Sequence, residues 1–131
     1  MSRIIILAIL TSLAITCISC KNDNISAGIK GNLNYGEGNC SLDQSFWYYN
    51  PYNGYVYFID ETVKDTITIS SNTINLYADS CICTNGSFVT SLSPGNYYLF
   101  IKEYPTFGIN QKFTVFYNQI TENDFYIYRC I

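Results

Sequence analysis

Thr84-Asn85-Gly86-Ser87-Phe88-Val89-Thr90-Ser91-Leu92-Ser93-Pro94-Gly95-Asn96-Tyr97-Tyr98-Leu99 reads as two short strands punctuated by two tight turns. Asn85-Gly86 opens the first turn and Ser93-Pro94-Gly95-Asn96 makes the second, since Gly and Asn tolerate left-handed backbone and Pro presets a turn. Strand side chains alternate between faces, so Phe88 and Leu92 share one side. After the second turn Lys102 marks the solvent face, which sends Tyr97, Leu99 and Ile101 to the core.

The same grammar runs outward in both directions. Runs of Tyr, Ile, Val, Phe and Thr between clusters of Gly, Asn, Asp, Ser and Pro predict strands near 28–34, 54–60, 66–70, 73–79, 87–92, 97–103, 112–117 and 124–130. No helical period persists after residue 20. The expected fold is all-β, a two-sheet sandwich of seven or eight strands. In the first strand Ile29 and Leu33 face inward, with Lys30 and Asn32 opposite. Positions 36–39 and 50–54 bracket a long connection. The last strand leaves both faces open, because Phe125, Ile127 and Arg129 share one side and Tyr126, Tyr128 and Cys130 the other.

The amino-terminal segment has a different character. Met1-Ser2-Arg3 supplies one basic residue, Ile4 to Leu10 an apolar run, and Cys17-Ile18-Ser19-Cys20 a small-residue ending. That is the pattern of a cleaved export signal of lipoprotein type, and Thr11, Ser12, Thr16 and Ser19 interrupt it too often for a span of about twenty apolar residues. Residues 1–19 are expected to be removed and Cys20 to carry lipid, with 20–26 a tether and 27–131 the sandwich. Cys17 is the weaker acceptor, because β-branched Thr16 precedes it. Lys21-Asn22-Asp23 resembles the charged tag that follows the lipidated cysteine of surface-exposed Bacteroidota lipoproteins. The expected address is the outer membrane, on the cell surface or the periplasmic face, with the membrane as partner through the lipid.

Removing residues 1–19 from the 131 leaves 112, and the loss of Arg3 takes the formal charge from −3 to −4. The scattered Lys and Arg form no basic stripe, which argues against nucleic acid. With no His in the chain, a Ser-His-Asp or Cys-His catalytic set is absent, and no Gly-rich phosphate loop opens a helix. Two carboxylate pairs, Asp60 with Glu61 and Glu103 with Glu122, read as solvated turn residues and not as a glycosidase pair. The chain is expected to be noncatalytic, without cofactor.

Four cysteines follow Cys20: Cys40, Cys81, Cys83 and Cys130. An even set in an oxidising compartment points to disulfides, with three pairings open. A single Cys-x-Cys without His is a poor zinc set, so no metal is expected. Cys81-Ile82-Cys83 resembles the spacing of some thiol–disulfide exchange sites, although its nearest charge is Asp79 and no cation lowers its pKa.

The densest binding chemistry lies in Phe46-Trp47-Tyr48-Tyr49-Asn50-Pro51-Tyr52-Asn53-Gly54-Tyr55. Trp47, Tyr48, Tyr49 and Tyr52 are the candidate ligand contacts, suited to stack on a sugar ring or anchor a protein partner. The competing reading is packing, with Trp47 closing one end of the sandwich.

The run from Thr84 to Leu99 resembles carboxypeptidase-regulatory-like and Cna-B-type domains, which are transthyretin-like (prealbumin-like, Ig-like) sandwiches. Gly28-Ile29-Lys30-Gly31 is similar to that family's first strand, and Gly54-Tyr55-Val56-Tyr57-Phe58 to the strand after its first loop. More narrowly, Gly36-Glu37-Gly38-Asn39-Cys40 and the ending Asp124-Phe125-Tyr126-Ile127-Tyr128-Arg129-Cys130 resemble small Bacteroidota lipoproteins. That resemblance implies a Cys40–Cys130 bridge, reasonable if the first and last strands pair in parallel, and leaves Cys81 and Cys83 either bridged or free. The family also allows a Lys–Asn isopeptide, here Lys30 with Asn123, but its acid position falls on Ile101, so no crosslink is expected. What the resemblance implies functionally is an accessory, adhesion or binding module. A glycan-binding lipoprotein using Trp47 and a thiol-active envelope protein using Cys81 and Cys83 are the alternatives.

Overall fold

The computed structural model describes residues 26–64, 78–105 and 108–131. The expected export segment, Cys20, the expected strand at 66–70 and all but the end of that at 73–79 lie outside the described residues. The described chain forms nine strands in two sheets. They are β1 (Gly28–Gly38), β2 (Asn50–Pro51), β3 (Gly54–Asp60), β4 (Asp79–Cys83), β5 (Ser87–Ser91), β6 (Gly95–Phe100), β7 (Lys112–Val115), β8 (Ile120–Glu122) and β9 (Phe125–Cys130). A four-residue helix, α1 (Glu61–Lys64), follows β3.

β1 organises the first sheet. Its first half lies between antiparallel β5 and parallel β8, and its second half between antiparallel β2 and parallel β9. Where β5 gives way to β2, the Leu33 N–H donates to the Gly86 carbonyl at 2.7 Å, and the Tyr52 N–H donates to the Leu33 carbonyl at 3.0 Å. Both backbone groups of buried Leu33 are thus paired at that changeover, as a buried backbone requires. On the other edge β8 hands over to β9 at Asn123 and Asp124. The Asn123 N–H donates to the Lys30 carbonyl at 3.1 Å. Asp124 Oδ1 then accepts both the backbone and side-chain N–H groups of Asn32, each at 3.1 Å. The carboxylate stands in for a missing ladder carbonyl. Gly31 makes the handover possible, since a Cβ there would lie 1.7 Å from the Asn123 carbonyl oxygen.

The second sheet runs β4-β3-β6-β7, all antiparallel. Between the sheets Phe58, Phe88, Phe125 and Phe113 close a ring of contacts with centroids 5.8 to 6.1 Å apart, spacings at which aromatic pairs add to area burial. Ile29, Leu33, Val56, Leu99, Ile101 and Ile127 fill the space around them. The expected inward positions Phe88, Leu92, Tyr97, Leu99 and Ile101 are all buried. Tyr97 also donates from its hydroxyl to the Ser93 carbonyl at 2.7 Å, stapling the Pro94-Gly95 turn. The two faces of the last strand separate cleanly, with Phe125 and Ile127 inside.

Three local expectations are corrected. Gly36 and Gly38 belong to β1, which runs four residues past the expected end, and do not open a connection. Cys81 and Cys83 lie within β4, paired with β3 from Gly54↔Cys83 to Phe58↔Asp79. Phe100, on the same side as Lys102, is fully buried. It joins Tyr57 and Ile59 in a second, smaller core on the outer side of the second sheet, against Val63 of α1 and Ala78. Strands covered on both sides lose the apolar–polar alternation.

At its far end β1 meets the Cys40–Cys130 disulfide, with Cα atoms 5.3 Å apart and a sequence separation of 90. A closed loop of that length contributes about 2 to 5 kcal/mol. Lys30, at the other end, projects outward and pairs its Nζ with Glu122 Oε1 at 2.8 Å.

Gly31→Ala should lower unfolding free energy by about 1 to 3 kcal/mol through forced displacement of the Asn123 carbonyl. A urea midpoint shift at unchanged slope would register it; an unmoved midpoint would show that the handover is not as close as described.

Candidate functional site

The loop leaving the disulfide turns back over the outer face of β1 and β9. Asp43 Oδ1 accepts the Ser45 N–H at 2.8 Å, capping a single 3-10 turn at Gln44–Phe46. This Asx-type cap fixes the direction in which the chain delivers Trp47. The bond from Ser45 holds the Asp43 carboxyl below its usual range. β2 then ties the end of the loop to Asn34 and Tyr35.

Three layers follow from β1 outward. Gly36 is the register partner of Tyr128, and Gly38 that of Cys130. A Cβ on Gly36 would come 2.9 Å from Tyr128 Cδ2 and 2.2 Å from the Tyr48 carbonyl oxygen, and one on Gly38 2.3 Å from the Tyr128 hydroxyl. The glycines therefore form a bare floor on which the Tyr128 ring lies. The Trp47 indole stacks on that ring at 4.3 Å with 4° between planes. Tyr49 meets Tyr126 and Tyr128 edge-on, at 5.5 and 5.6 Å.

These rings wall a groove of about 410 Å³, completed by Tyr104 and the amides Gln44, Asn110 and Gln111. Among the described residues no charged side chain lines it. Gln111 is structural: its Oε1 accepts the Gly108 N–H and its Nε2 donates to the Leu99 carbonyl, both at 2.8 Å. Trp47 Nε1 is buried and finds no hydrogen-bond acceptor among the described residues, a donor whose desolvation costs about 1 to 3 kcal/mol. Leu42, Phe46 and Tyr48 stand exposed on the same loop.

The four aromatic candidates do not act together. Trp47 and Tyr49 reach the groove. Tyr48 is exposed, while Tyr52 is 7% exposed in the core. The Tyr52 hydroxyl donates to Glu103 Oε2 at 2.9 Å, and burial together with that carboxylate pushes its pKa up. Tyr52 is therefore a packing residue. Sequence reasoning missed Tyr126, Tyr128, Gly36 and Gly38. Their signal was the outward Tyr-x-Tyr of the last strand opposite an alternating Gly-x-Gly in the first.

The other candidate groups are spent elsewhere. Asp60 Oδ1 accepts the Thr62 N–H at 2.8 Å, Glu61 pairs with Lys112, Glu103 holds Tyr52 and Glu122 holds Lys30. Cys81 and Cys83 are both free, on the inward side of β4. Cys83 Sγ lies 3.5 Å from the Tyr52 carbonyl oxygen as donor. Burial, then the neighbouring Cys83, pushes the Cys81 thiol up to about 11. Burial also raises Cys83, against a lowering bond from Gly86. At neutral pH both thiols stay protonated, the opposite of an activated pair. Among the described residues no group of three His, Cys, Asp or Glu side chains could hold a metal ion.

No family model matches the chain, and neither a curated protein nor a solved structure matches it.

The raised thiol makes an alkaline prediction. Across about pH 9 to 11 the unfolded chain releases the Cys81 proton that the fold retains. The unfolded state then binds fewer protons, and stability falls as pH rises through that window. Thermal midpoints taken from pH 8 to 11 should drop, less steeply in Cys81→Ser; equal slopes would contradict the assignment.

Proposed function

We propose that the chain is a noncatalytic, lipid-anchored envelope protein, an accessory or adhesion module, whose Trp47–Tyr49 groove binds a neutral glycan. The observation that carries the reading is the groove's composition: flat aromatic walls, the amides of Gln44 and Asn110 at the rim and, among the described residues, no charge. Aromatic faces stack on the C–H faces of sugar rings, and amides meet hydroxyls with paired donors and acceptors. Absence of a lining charge favours an uncharged saccharide over an acidic one.

The lipid anchor at Cys20 and the outer-membrane address rest on the export segment. The transthyretin-like, carboxypeptidase-regulatory-like assignment rests on the run from Thr84 to Leu99. Placement supports a binding role. β1 begins at the tether side, and Gly36 and Gly38 lie at the far end of its 11 residues, about 30 Å along at strand rise. The groove therefore opens at the end away from the anchor. Thiol exchange is disfavoured, because both thiols are raised and face inward.

Trp47 is the sole tryptophan, so its emission reports the groove directly. Titration of the lipoprotein with neutral polysaccharides should shift that emission. Tyr49→Ala should weaken binding about ten-fold, equivalent to roughly 1.4 kcal/mol, while the thermal midpoint stays within a few degrees. Equal affinity in the variant, or silence toward every neutral glycan, would sink the reading.

A further inference from the structure

At the opposite end of the sandwich from the groove, the chain enters between two turns. The Leu92 N–H donates to the Ala27 carbonyl and the Gly28 N–H to the Gln119 carbonyl, each at 3.2 Å. The turn after β7 presents Phe116 at 56% and Tyr117 at 77% exposure, adjacent in sequence and outside the core. Asn118, with φ +54°, holds the turn in a left-handed conformation that Asn tolerates. Tyr117 and Asn118 border a hollow with Ser26, Ser91, Ser93 and Pro94, and among the described residues no charged side chain lines it. Asp60, at the matching end of the second sheet, is turned to the Thr62 N–H.

We propose that this turn is a second membrane contact, with Phe116 and Tyr117 seated in the interfacial layer of the bilayer that carries the Cys20 lipid. The inference rests on the Cys20 anchor proposed above. Five residues separate Cys20 from Ser26, and the six Cα–Cα steps reach about 20 Å at full extension. The turn beside Ser26 is therefore kept within about 20 Å of the bilayer surface whatever path the tether takes. Tyr117, with an apolar body and a polar tip, is of the type that concentrates at interfacial depth, Phe116 adds apolar area, and a described lining without charge lowers the desolvation that opposes contact. Two points of attachment, lipid and turn, restrict tilt. β1 then stands away from the membrane, and the Trp47 groove is displayed outward.

The test uses the full lipoprotein in phosphatidylethanolamine–phosphatidylglycerol vesicles, with and without brominated acyl chains. Phe116→Trp should show blue-shifted emission that the brominated lipids quench, while Trp47 in the parent protein is not quenched. Tyr117→Trp provides the same readout if the first variant folds poorly. An introduced indole that emits as in water and escapes quenching, on protein that floats with the vesicles and shows acylated Cys20 by mass, overturns this inference alone. Cys20 without lipid by mass overturns the anchor and the inference together.

Discussion

The parallel pairing of β1 with β9 along Gly36 and Gly38 is the constraint on which the rest of the structure depends. It joins the two ends of the domain, places Gly38 opposite Cys130 and so brings the Cys40 bridge within disulfide reach. The pairing also sets which side of β9 is inside. Phe125 and Ile127 complete the core, and Tyr126 and Tyr128 are forced outward above the glycines. A parallel pair between chain ends must be closed over a long loop, and the disulfide offsets part of that entropy.

From that pairing the molecule acquires two unlike ends. One holds the turns at Ser93-Pro94 and Phe116-Tyr117 around the point where the chain enters. The other holds the disulfide, the capped 3-10 turn and the aromatic layers. The flanking ion pairs, Lys30 with Glu122 and Arg129 with Glu37, are solvent-exposed and of a kind worth at most about 1 kcal/mol. Orientation therefore comes from ladder register and ring packing, and from surface charge only slightly.

Much of the fold was legible because its cause is local. Alternation around Lys102 gave the inward set Tyr97, Leu99 and Ile101, and the Asn85-Gly86 and Pro94-Gly95 turns punctuate the strands as their chemistry requires. What escaped has non-local causes. Gly36 and Gly38 look like turn residues until Tyr128, some ninety residues away, is laid across them. Phe100 violates the alternation because a second layer covers the outer sheet face. The Cys81-Ile82-Cys83 strand was hidden by a composition that suggests chemistry before structure. Within the site, the aromatic run was visible but its division was not. β2 pairs with β1 and turns Tyr52 into the core, which separates it from Trp47 and Tyr49.

The most direct test of the account is Gly36→Ala, whose Cβ would collide with the Tyr48 carbonyl and the Tyr128 ring while leaving the inter-sheet core alone. Near-ultraviolet circular dichroism reads the Trp47–Tyr128 stack, and far-ultraviolet dichroism reads the sandwich. The account predicts that the near-ultraviolet tryptophan signal collapses while the far-ultraviolet spectrum persists. An unchanged near-ultraviolet spectrum would contradict it, because the glycine floor would then not be what positions the rings.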